Sequence, residues 1–382
     1  LNSVCDLSNL QFSETMTING YNNVGGVAGE IYQSKVSGPT KIDFTNGHQS
    51  ALPNFNDLSS LYNGKVNGVD YVGGFVGSIY NSSVTGFAVN VNVTGSNSVG
   101  GFAGKIRVCD TDDYISNNAS NGNINGTGEY VGGIVGYLEI DASSGSFDYD
   151  GFNNNIAYGN INGGSDVSGV VGCLNVNGAN FTMQYCVNTA QVVGSGHVGG
   201  VLAHVYQKNN APKIQYCANF GDISASVSAD DYAVGGIAAF AKLKGTHIYY
   251  CTNHGDITAS GQYKGIGGIG GEVGHNTGTV SCSNNAYVKY CANFGNLQGN
   301  HSDSYVGGIV GFMQEGSASK GNCCIYDSYN RGEILSNHSE ETGGILGHAD
   351  YYNTLYRNIN FGKVHHGNAI IGCRKKNIAV LY

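Results

Sequence analysis

The sequence predicts an all-β chain that folds as an elongated parallel β-solenoid of about ten coils, and three observations indicate this. A Gly-rich hexapeptide recurs with a loose period of roughly 30–36 residues. A second segment recurs between successive hexapeptides and fixes the register of the repeat. The composition, with 61 Gly, 26 Tyr and only 3 Pro in 382 residues, favours strands and tight turns over helices.

The hexapeptide is a β-branched residue followed by two glycines, an apolar pair and a small residue. Two glycines inside an apolar run would each cost ~1 kcal/mol in a helix, which argues against helical repeats of similar period. No leucine-rich frame is present, and a propeller blade usually needs about 40 residues or more. The ten copies begin at Val24, Val72, Val99, Val131, Val167, Val198, Val234, Ile266, Val306 and Thr342, and a degenerate copy spans 368–372.

The glycine pair has two interpretations. The glycines could let a neighbouring backbone approach closely. They could instead form a bulge or corner that bends the chain, where Gly tolerates a positive φ. We favour the corner.

The second segment reads Y-C-x-N at its start, and stacked coils would place its residues in ladders spaced ~4.8 Å apart. That spacing exceeds the ~3.8 Å Cβ separation of a disulfide, so the favoured interpretation is a ladder of buried, reduced thiols. Among 11 Cys, at least one is unpaired within the chain, and disulfides from Cys282 or Cys323 are a second interpretation. The ladder consists of Cys186, Cys217, Cys251 and Cys291.

An asparagine ladder follows two residues later in each copy. Stacked amides that bond along the axis and cap a turn are the favoured interpretation, and a row of sugar-binding amides is the alternative. The ladder consists of Asn188, Asn219, Asn253, Asn293, Asn330 and Asn360.

Tyrosine precedes both motifs. The favoured interpretation is half-buried ladder residues, and the alternative is a strip that binds sugars or proteins. These tyrosines are Tyr71, Tyr130 and Tyr305 before the hexapeptide and Tyr185, Tyr216, Tyr250 and Tyr290 before the Cys.

Candidate ligand and modification sites are few. Asp110, Asp112 and Asp113 offer three oxygen donors for Ca²⁺, but their loop lacks the Gly and distal Glu of an EF-hand, so a solvated loop is favoured. N-glycosylation sequons occur about as often as expected by chance in a chain so rich in Asn, Ser and Thr. They begin at Asn81, Asn92, Asn118, Asn125, Asn180, Asn300 and Asn337.

Several function classes are disfavoured. The net charge of -9 gives no basic surface for nucleic acid, and the one basic cluster is at 374–376. No run of 18 apolar residues predicts a membrane span. Neither G-x-S-x-G, a P-loop nor H-E-x-x-H occurs. We therefore expect no catalytic residue, no cofactor and no resident metal.

The hexapeptides at Val131 to Gly136 and Val306 to Gly311, with the C-x-N-x-G-x-[IV] segments between copies, resemble the GLUG repeat. That repeat occurs in bacterial surface and adhesin-like proteins and in regions of IgA-specific metallopeptidases. The resemblance covers roughly Val24 to Gly372 and implies a secreted or cell-surface β-solenoid stalk or binding module. It implies no catalytic residue, because the peptidase chemistry of those relatives lies outside the repeats. The four-membered Cys ladder and the number of sequons depart from the family pattern.

We therefore expect a single domain over 1–382, with an N-terminal cap or lead-in at 1–23, repeats over 24–372 and a C-terminal end at 373–382. The predicted function is that of a non-enzymatic extracellular structural or adhesive protein: a surface stalk, adhesin module or filament subunit. Its lateral surface would contact a protein or glycan surface, or its coils would stack end to end. The alternative is a carbohydrate-active lyase or hydrolase, or a glycan-binding module, and an enzyme would need charged side chains converging on one face.

Overall fold

A computed structural model confirms the predicted parallel β-solenoid. It describes residues 3–6, 15–40, 42, 54–58, 60–142, 146–207, 211–226, 231–241, 246–274, 286–314, 323–337, 340–350, 353–374 and 379–381. Within these residues the only helical element is one 3-10 turn, Phe55–Asp57, and no helix is long and apolar enough to cross a membrane. A typical coil contains five short strands, and each strand pairs in parallel with its equivalents in neighbouring coils.

The equivalent strands form five stacks, numbered in the order in which the chain passes through them. Stack 1 contains Ser3–Asp6, Ser34–Ser37, Ser83–Thr85, Ile115–Ser116, Asp148–Asn153, Asn180–Gln184, Lys213–Gln215, His247–Tyr249, Ala286–Lys289, Cys323–Tyr326, Asn353–Tyr356 and Ala379–Leu381. Stack 2 contains Ala119–Asn121, Ile156–Ala157, Val187–Asn188, Ala218–Asn219, Thr252–Asn253, Ala292–Asn293, Tyr329–Asn330 and Ile359–Asn360.

Stack 3 runs beside stack 2, and the two merge at the N-terminal end. Stack 3 contains Ile124–Gly126, Ile161–Asn162, Val192–Gly194, Ile223–Ala225, Ile257–Ala259, Leu297–Gly299, Ile334–Ser336 and Val364–His365. The strands of the merged part are Met16–Asn19, Ser60–Asn67 and Ala88–Gly95.

The hexapeptides form the last two stacks of each coil. Stack 4 contains Asn22–Gly25, Asp70–Gly73, Asn97–Gly100, Val131–Gly132, Val167–Ser168, Val198–Gly199, Ala233–Gly235, Gly265–Gly267, Val306–Gly307 and Thr342–Gly343. Stack 5 contains Ala28–Tyr32, Val76–Tyr80, Ala103–Val108, Val135–Asp141, Val171–Asn177, Leu202–Gln207, Ala238–Ala241, Gly270–Val273, Val310–Met313, Leu346–Ala349 and Ile371–Arg374.

All ten hexapeptides lie in one register. Val131 pairs with Val99 on one side and Val167 on the other, and the same pairing continues to Thr342. The degenerate copy joins through a bridge between Gly343 and Asn368. The first residues of the copies from Val72 to Thr342 are fully buried, and burial of one such aliphatic side chain contributes about 1.5–3 kcal/mol.

The glycine pair is required by close packing rather than by a positive φ. A bend follows the first glycine, where the corner interpretation places it. The positive φ predicted for the glycine pair is wrong. Among the described residues, the glycines with positive φ are Gly86, Gly122, Gly178 and Gly274, which lie outside the hexapeptides. At Gly236 a Cβ would collide with the carbonyl of Gly268 and lie 2.5 Å from Cγ of Asn253. The second glycines of the other hexapeptides from Gly169 to Gly344 face an Asn of the ladder in the same way. The hexapeptide and the asparagine ladder are therefore complementary across the core.

The stacks extend beyond the predicted limits of the repeat at both ends. Met16–Asn19 already pairs with Ser60–Asn67 inside the segment predicted to be a cap. At the other end Ala379–Leu381 pairs with Asn353–Tyr356. Strands of the solenoid therefore occur within both segments that the sequence analysis separates as terminal.

Candidate binding surface

The Y-C-x-N segment turns the corner between stack 1 and stack 2. The first residue of the corner has a positive φ, with values of 54° to 57° at the four tyrosines. This left-handed conformation is strained for any residue with a Cβ and suits Asn or Gly better than Tyr. The position is occupied in turn by Asn117, Asn154, Tyr185, Tyr216, Tyr250, Tyr290, Asp327 and Arg357.

The cysteine after this corner lies inside the coil. The four ladder cysteines are buried reduced thiols, and the Sγ of Cys251 donates to the carbonyl of Tyr249 at 3.2 Å. Burial raises the pKa of the Cys186 and Cys251 thiols well above the ordinary value, so these thiols are neutral and inert. Cys323 is also a reduced thiol, and Cys282 lies outside the described residues.

Other coils place a different hydrogen-bonding side chain at the cysteine position. Nδ2 of Asn155 donates to the carbonyl of Ile115 at 2.8 Å, and Oγ of Ser328 donates to the carbonyl of Tyr326 at 2.8 Å. The position therefore requires a small buried donor, and Cys is one of three residue types that supply it.

The predicted asparagine ladder forms a continuous chain of hydrogen bonds. Nδ2 of each Asn donates to Oδ1 of the Asn in the next coil at 2.7–2.8 Å, from Asn188 through to Asn360. The same nitrogen donates to the carbonyl two residues ahead at 2.8–2.9 Å. The members from Asn188 to Asn330 have no exposed surface, so these amides stabilise the turn and do not reach a ligand.

The four tyrosines at the corner form a stacked row on the outside, here called the tyrosine strip: Tyr185, Tyr216, Tyr250 and Tyr290. Successive ring centroids lie 5.2, 5.0 and 4.8 Å apart, with interplanar angles of 6° to 11°. Because each inner ring has another ring on both faces, the strip presents ring edges and hydroxyls to solvent. Partial burial and the neighbouring hydroxyls raise the pKa of Tyr250, so its hydroxyl is a proton donor at neutral pH.

A second row, here called the Phe–His strip, consists of Phe220, His254 and Phe294. Its rings are stacked with centroids 4.6 Å apart. Burial lowers the pKa of His254, so the imidazole is neutral at pH 7. The short strands of stack 2 lie between the two strips, and their small outer residues Ala218 and Ala292 are buried.

At its N-terminal end this outer face is covered by the chain itself. Ile42 and Phe55 pack over an outer apolar cluster that includes Ala119 and Ile156 and is separate from the core. The ring of Phe55 meets that of Tyr158 edge to face at 5.3 Å. The backbone N–H of Ile42 donates to Oδ1 of Asn117, 3.4 Å away. Asn117 occupies the same corner position that Tyr occupies in later coils.

Farther along, the same face is open. Tyr250 and Tyr290 are 46% and 47% exposed, and Ile359 and Phe361 at the C-terminal end are 52% and 62% exposed. The face therefore changes from a covered apolar surface to an exposed aromatic one within a single register.

The predicted calcium ligands do not form a site. Asp110 and Asp112 are exposed, as a solvated loop requires, but Asp113 is buried. Burial and the charge of Asp110 raise the pKa of Asp113 to about 6. Among the described residues, the groups of three donor atoms within 4.8 Å of one another do not include these aspartates. The three carboxylates do not converge, so the described residues give no support to calcium, the alternative that the sequence analysis disfavoured.

One of the predicted sequons is inaccessible. Asn118 is fully buried, and its Nδ2 donates to the carbonyl of Val84 at 3.0 Å, so a glycan at this atom is incompatible with the fold. Oδ1 of Asn81, a partly buried residue, accepts the N–H of Cys109 at 2.8 Å. The remaining sequon residues are exposed: Asn92, Asn125, Asn180, Asn300 and Asn337.

Within the part of the chain that the structure describes, two clusters of metal-ligating side chains were missed by the sequence reasoning. They are Asp166 with His197 and His204, and Glu341 with His348 and Cys373. The sequence signal for these clusters lay in the residues that flank two of the hexapeptides. His197 and His204 flank one copy, and Glu341 and His348 flank another.

An acidic cleft lies on the outer face of stack 3. It is lined by Asp256, Glu333 and His365 among others. Glu333 contacts Nε2 of His365, which lowers the pKa of the Glu333 carboxyl. Oδ1 of Asp256 accepts the N–H of Asn296 at 2.7 Å. An ionised Glu333 does not suit the role of the protonated acid in glycoside hydrolysis.

Comparison of the chain with protein-family models, curated proteins and solved structures gives no match.

Proposed function

We propose that the chain is a non-enzymatic structural or adhesive scaffold whose open lateral face binds a protein partner. The face consists of the tyrosine strip, the Phe–His strip and the small residues between them. The observation that carries this proposal is that the chain covers the N-terminal end of the same face with its own Phe55 and Ile42. An apolar segment with an aromatic side chain is therefore the chemistry that this face accommodates.

The arrangement of the rings favours a protein over a glycan. Sugar recognition by aromatic residues uses exposed ring faces, but within the tyrosine strip the neighbouring rings occupy those faces. What is presented is a row of ring edges and hydroxyl donors, which suits edge-to-face contact with aromatic side chains and hydrogen bonds to a peptide backbone. The contact of Phe55 with Tyr158 already has that edge-to-face geometry.

The corner strain supports a role beyond folding. Tyr at a left-handed corner costs on the order of 1 kcal/mol relative to Gly, and the chain itself uses Asn at the same position in two coils. A strained Tyr at a corner that Asn also turns is an outlier of the kind that supports a hypothesis of function.

The extracellular location is part of the proposal and rests on the resemblance to GLUG repeats. The cysteine ladder is compatible with it, because thiols buried inside the coils are shielded from oxidants.

Selection of displayed peptides tests this function. A library of 12-residue peptides is selected on the full chain, with counter-selection on the variant Tyr216→Asn/Tyr250→Asn/Tyr290→Asn. We expect enriched peptides with aromatic and aliphatic residues that lose binding on the variant and keep it on the control Tyr21→Asn, an exposed tyrosine elsewhere. A glycan array run on the same proteins provides the other arm. Strip-dependent glycan binding without peptide binding would support the glycan-binding module instead.

A further inference from the structure

The cluster of Glu341, His348 and Cys373 joins the last coils of the solenoid. Glu341 immediately precedes Thr342–Gly343, His348 lies in Leu346–Ala349, and Cys373 lies in Ile371–Arg374. His348 and Cys373 are direct register partners on neighbouring strands. Among the described strands, Ile371–Arg374 is the last of stack 5 and pairs with Leu346–Ala349.

The ligand atoms are close enough for one ion. The three candidate atoms lie within 4.8 Å of one another, and Nδ1 of His348 is 3.0 Å from Oε1 of Glu341. In a tetrahedral zinc site the bond lengths of 2.0–2.3 Å place ligand atoms about 3.3–3.7 Å apart. Rotamer adjustments of the partly exposed Glu341 and Cys373 can supply this contraction, because His348 is already held in place.

His348 has the environment of a metal ligand. Its ring stacks on Tyr305 at 4.5 Å, and its other nitrogen, Nε2, lies 3.5 Å from Oδ1 of Asp350. At 3.5 Å this is an electrostatic contact and not a hydrogen bond. The carboxylate still favours a proton on Nε2, the tautomer that leaves Nδ1 available to a metal.

We infer that Glu341, His348 and Cys373 bind one zinc-class transition-metal ion, with Asp350 as the positioning residue that holds the His348 tautomer. Thiolate, imidazole and carboxylate together select Zn²⁺ or Co²⁺ over Ca²⁺ or Mg²⁺, which prefer oxygen ligands alone. Three protein ligands leave the fourth position for water. The ion would fasten Ile371–Arg374 onto the preceding coil and stabilise the pairing of these two strands.

The cluster of Asp166, His197 and His204 shows why the C-terminal cluster is chosen. Nδ1 of His197 accepts the backbone N–H of Ala233 at 3.1 Å. The neutral ring therefore has its proton on Nε2, and neither nitrogen offers a lone pair to a metal. Nδ1 of His204 lies 3.3 Å from Oδ1 of Asp166, so this cluster is a buried hydrogen-bonded group.

The rival account of the C-terminal cluster is a buried hydrogen-bonded group in which His348 lies between the carboxylates of Glu341 and Asp350. It shares the geometry but predicts no affinity for metal. A metal titration therefore separates the two accounts.

The test uses the full chain, reduced and stripped with a chelator, and titrated with Co²⁺. We expect one equivalent to bind, with a thiolate-to-cobalt charge-transfer band and visible bands of tetrahedral cobalt that disappear when Zn²⁺ is added. Cys373→Ser and His348→Gln should each weaken binding by on the order of 100-fold or more and abolish the charge-transfer band or the tetrahedral spectrum. Asp350→Asn should weaken it by about 10- to 100-fold with the thiolate band retained.

Two controls keep the result interpretable. Cys109→Ser, at another partly exposed thiol, and His204→Gln, in the cluster of Asp166, His197 and His204, should bind Co²⁺ as the natural chain does. Hydrogen exchange of the native protein should show Zn²⁺ slowing exchange in residues 371–374 and 346–349. Absence of cobalt binding, or a thiolate band that persists in Cys373→Ser, would overturn the inference even if the lateral face binds its partner as proposed.

Discussion

The asparagine ladder and the tyrosine strip belong to the same short segment but differ in what holds them. In the ladder each buried amide has a partner in the next coil and another in its own turn. In the strip Tyr250 is nearly half exposed and adopts a left-handed φ of 54°. Other coils fill that corner with Asn117 or Asn154 and still turn it. The difference indicates that the fold requires the buried amides of the ladder but does not require tyrosine side chains at the corner.

The largest effect is expected from Gly236→Ala, because the added methyl would enter the space of the Asn253 amide and the Gly268 carbonyl. The atoms there belong to backbone and to a fully bonded side chain, so relaxation is limited. We expect the free energy of unfolding to fall by more than about 3 kcal/mol, measured by denaturant unfolding of the full chain. A loss below about 1 kcal/mol would show that glycine and ladder are not packed as described.

Asn253→Ala should cost about 3 kcal/mol, since it removes three hydrogen bonds and leaves buried partners in two neighbouring coils unsatisfied. Asn162→Ala is the matched control, because Asn162 is exposed and bonds to Asn125 at 3.4 Å. Its effect should stay within about 0.5 kcal/mol. Equal effects of the two substitutions would remove the distinction between buried and exposed amides.

Cys251→Ser should cost only about 1 kcal/mol, because a hydroxyl can donate to the carbonyl of Tyr249 as Ser328 donates to that of Tyr326. Thermal unfolding of the two proteins under reducing conditions measures the difference. A loss above about 3 kcal/mol would mean that sulfur has a role at this position beyond that of a small buried donor.

Tyr250→Asn should change the free energy of unfolding by less than about 1 kcal/mol. Two stacking contacts are lost, each worth about 0.5–1.5 kcal/mol, while Asn relieves a left-handed strain of similar size. Peptide binding to the lateral face should nevertheless fall at least tenfold. A stability loss above about 2 kcal/mol would show that the tyrosine strip serves to stabilise the fold.

The repeat itself was readable from the sequence because a solenoid imposes the same environment in every coil. The hexapeptide register, the asparagine ladder and the thiol ladder followed from aligning the copies. The reason for the glycine pair did not, because it depends on Asn253 reaching across the core to Gly236. A contact between residues of different stacks produces no recognisable spacing of residues along the sequence.

The open face and the meeting of His348 with Cys373 were also beyond sequence reasoning. The cover formed by Ile42 and Phe55 comes from a segment without a repeat signal, and its place on stack 2 is a tertiary contact. The candidate calcium ligands show the opposite limit of sequence reasoning, because Asp112 and Asp113 are neighbours in sequence but differ in exposure once folded. His348 and Cys373 meet only because a degenerate copy still pairs in register.

The most direct test of the central claim compares stability and binding in one variant, Tyr250→Asn/Tyr290→Asn. Equilibrium unfolding and titration with a peptide selected on the natural chain are measured on the same preparation, beside Tyr21→Asn. We predict that the free energy of unfolding stays within about 1 kcal/mol of the natural chain, while peptide affinity falls at least 100-fold. Unchanged peptide affinity, or unfolding of the variant, would contradict the assignment of the tyrosine strip to binding.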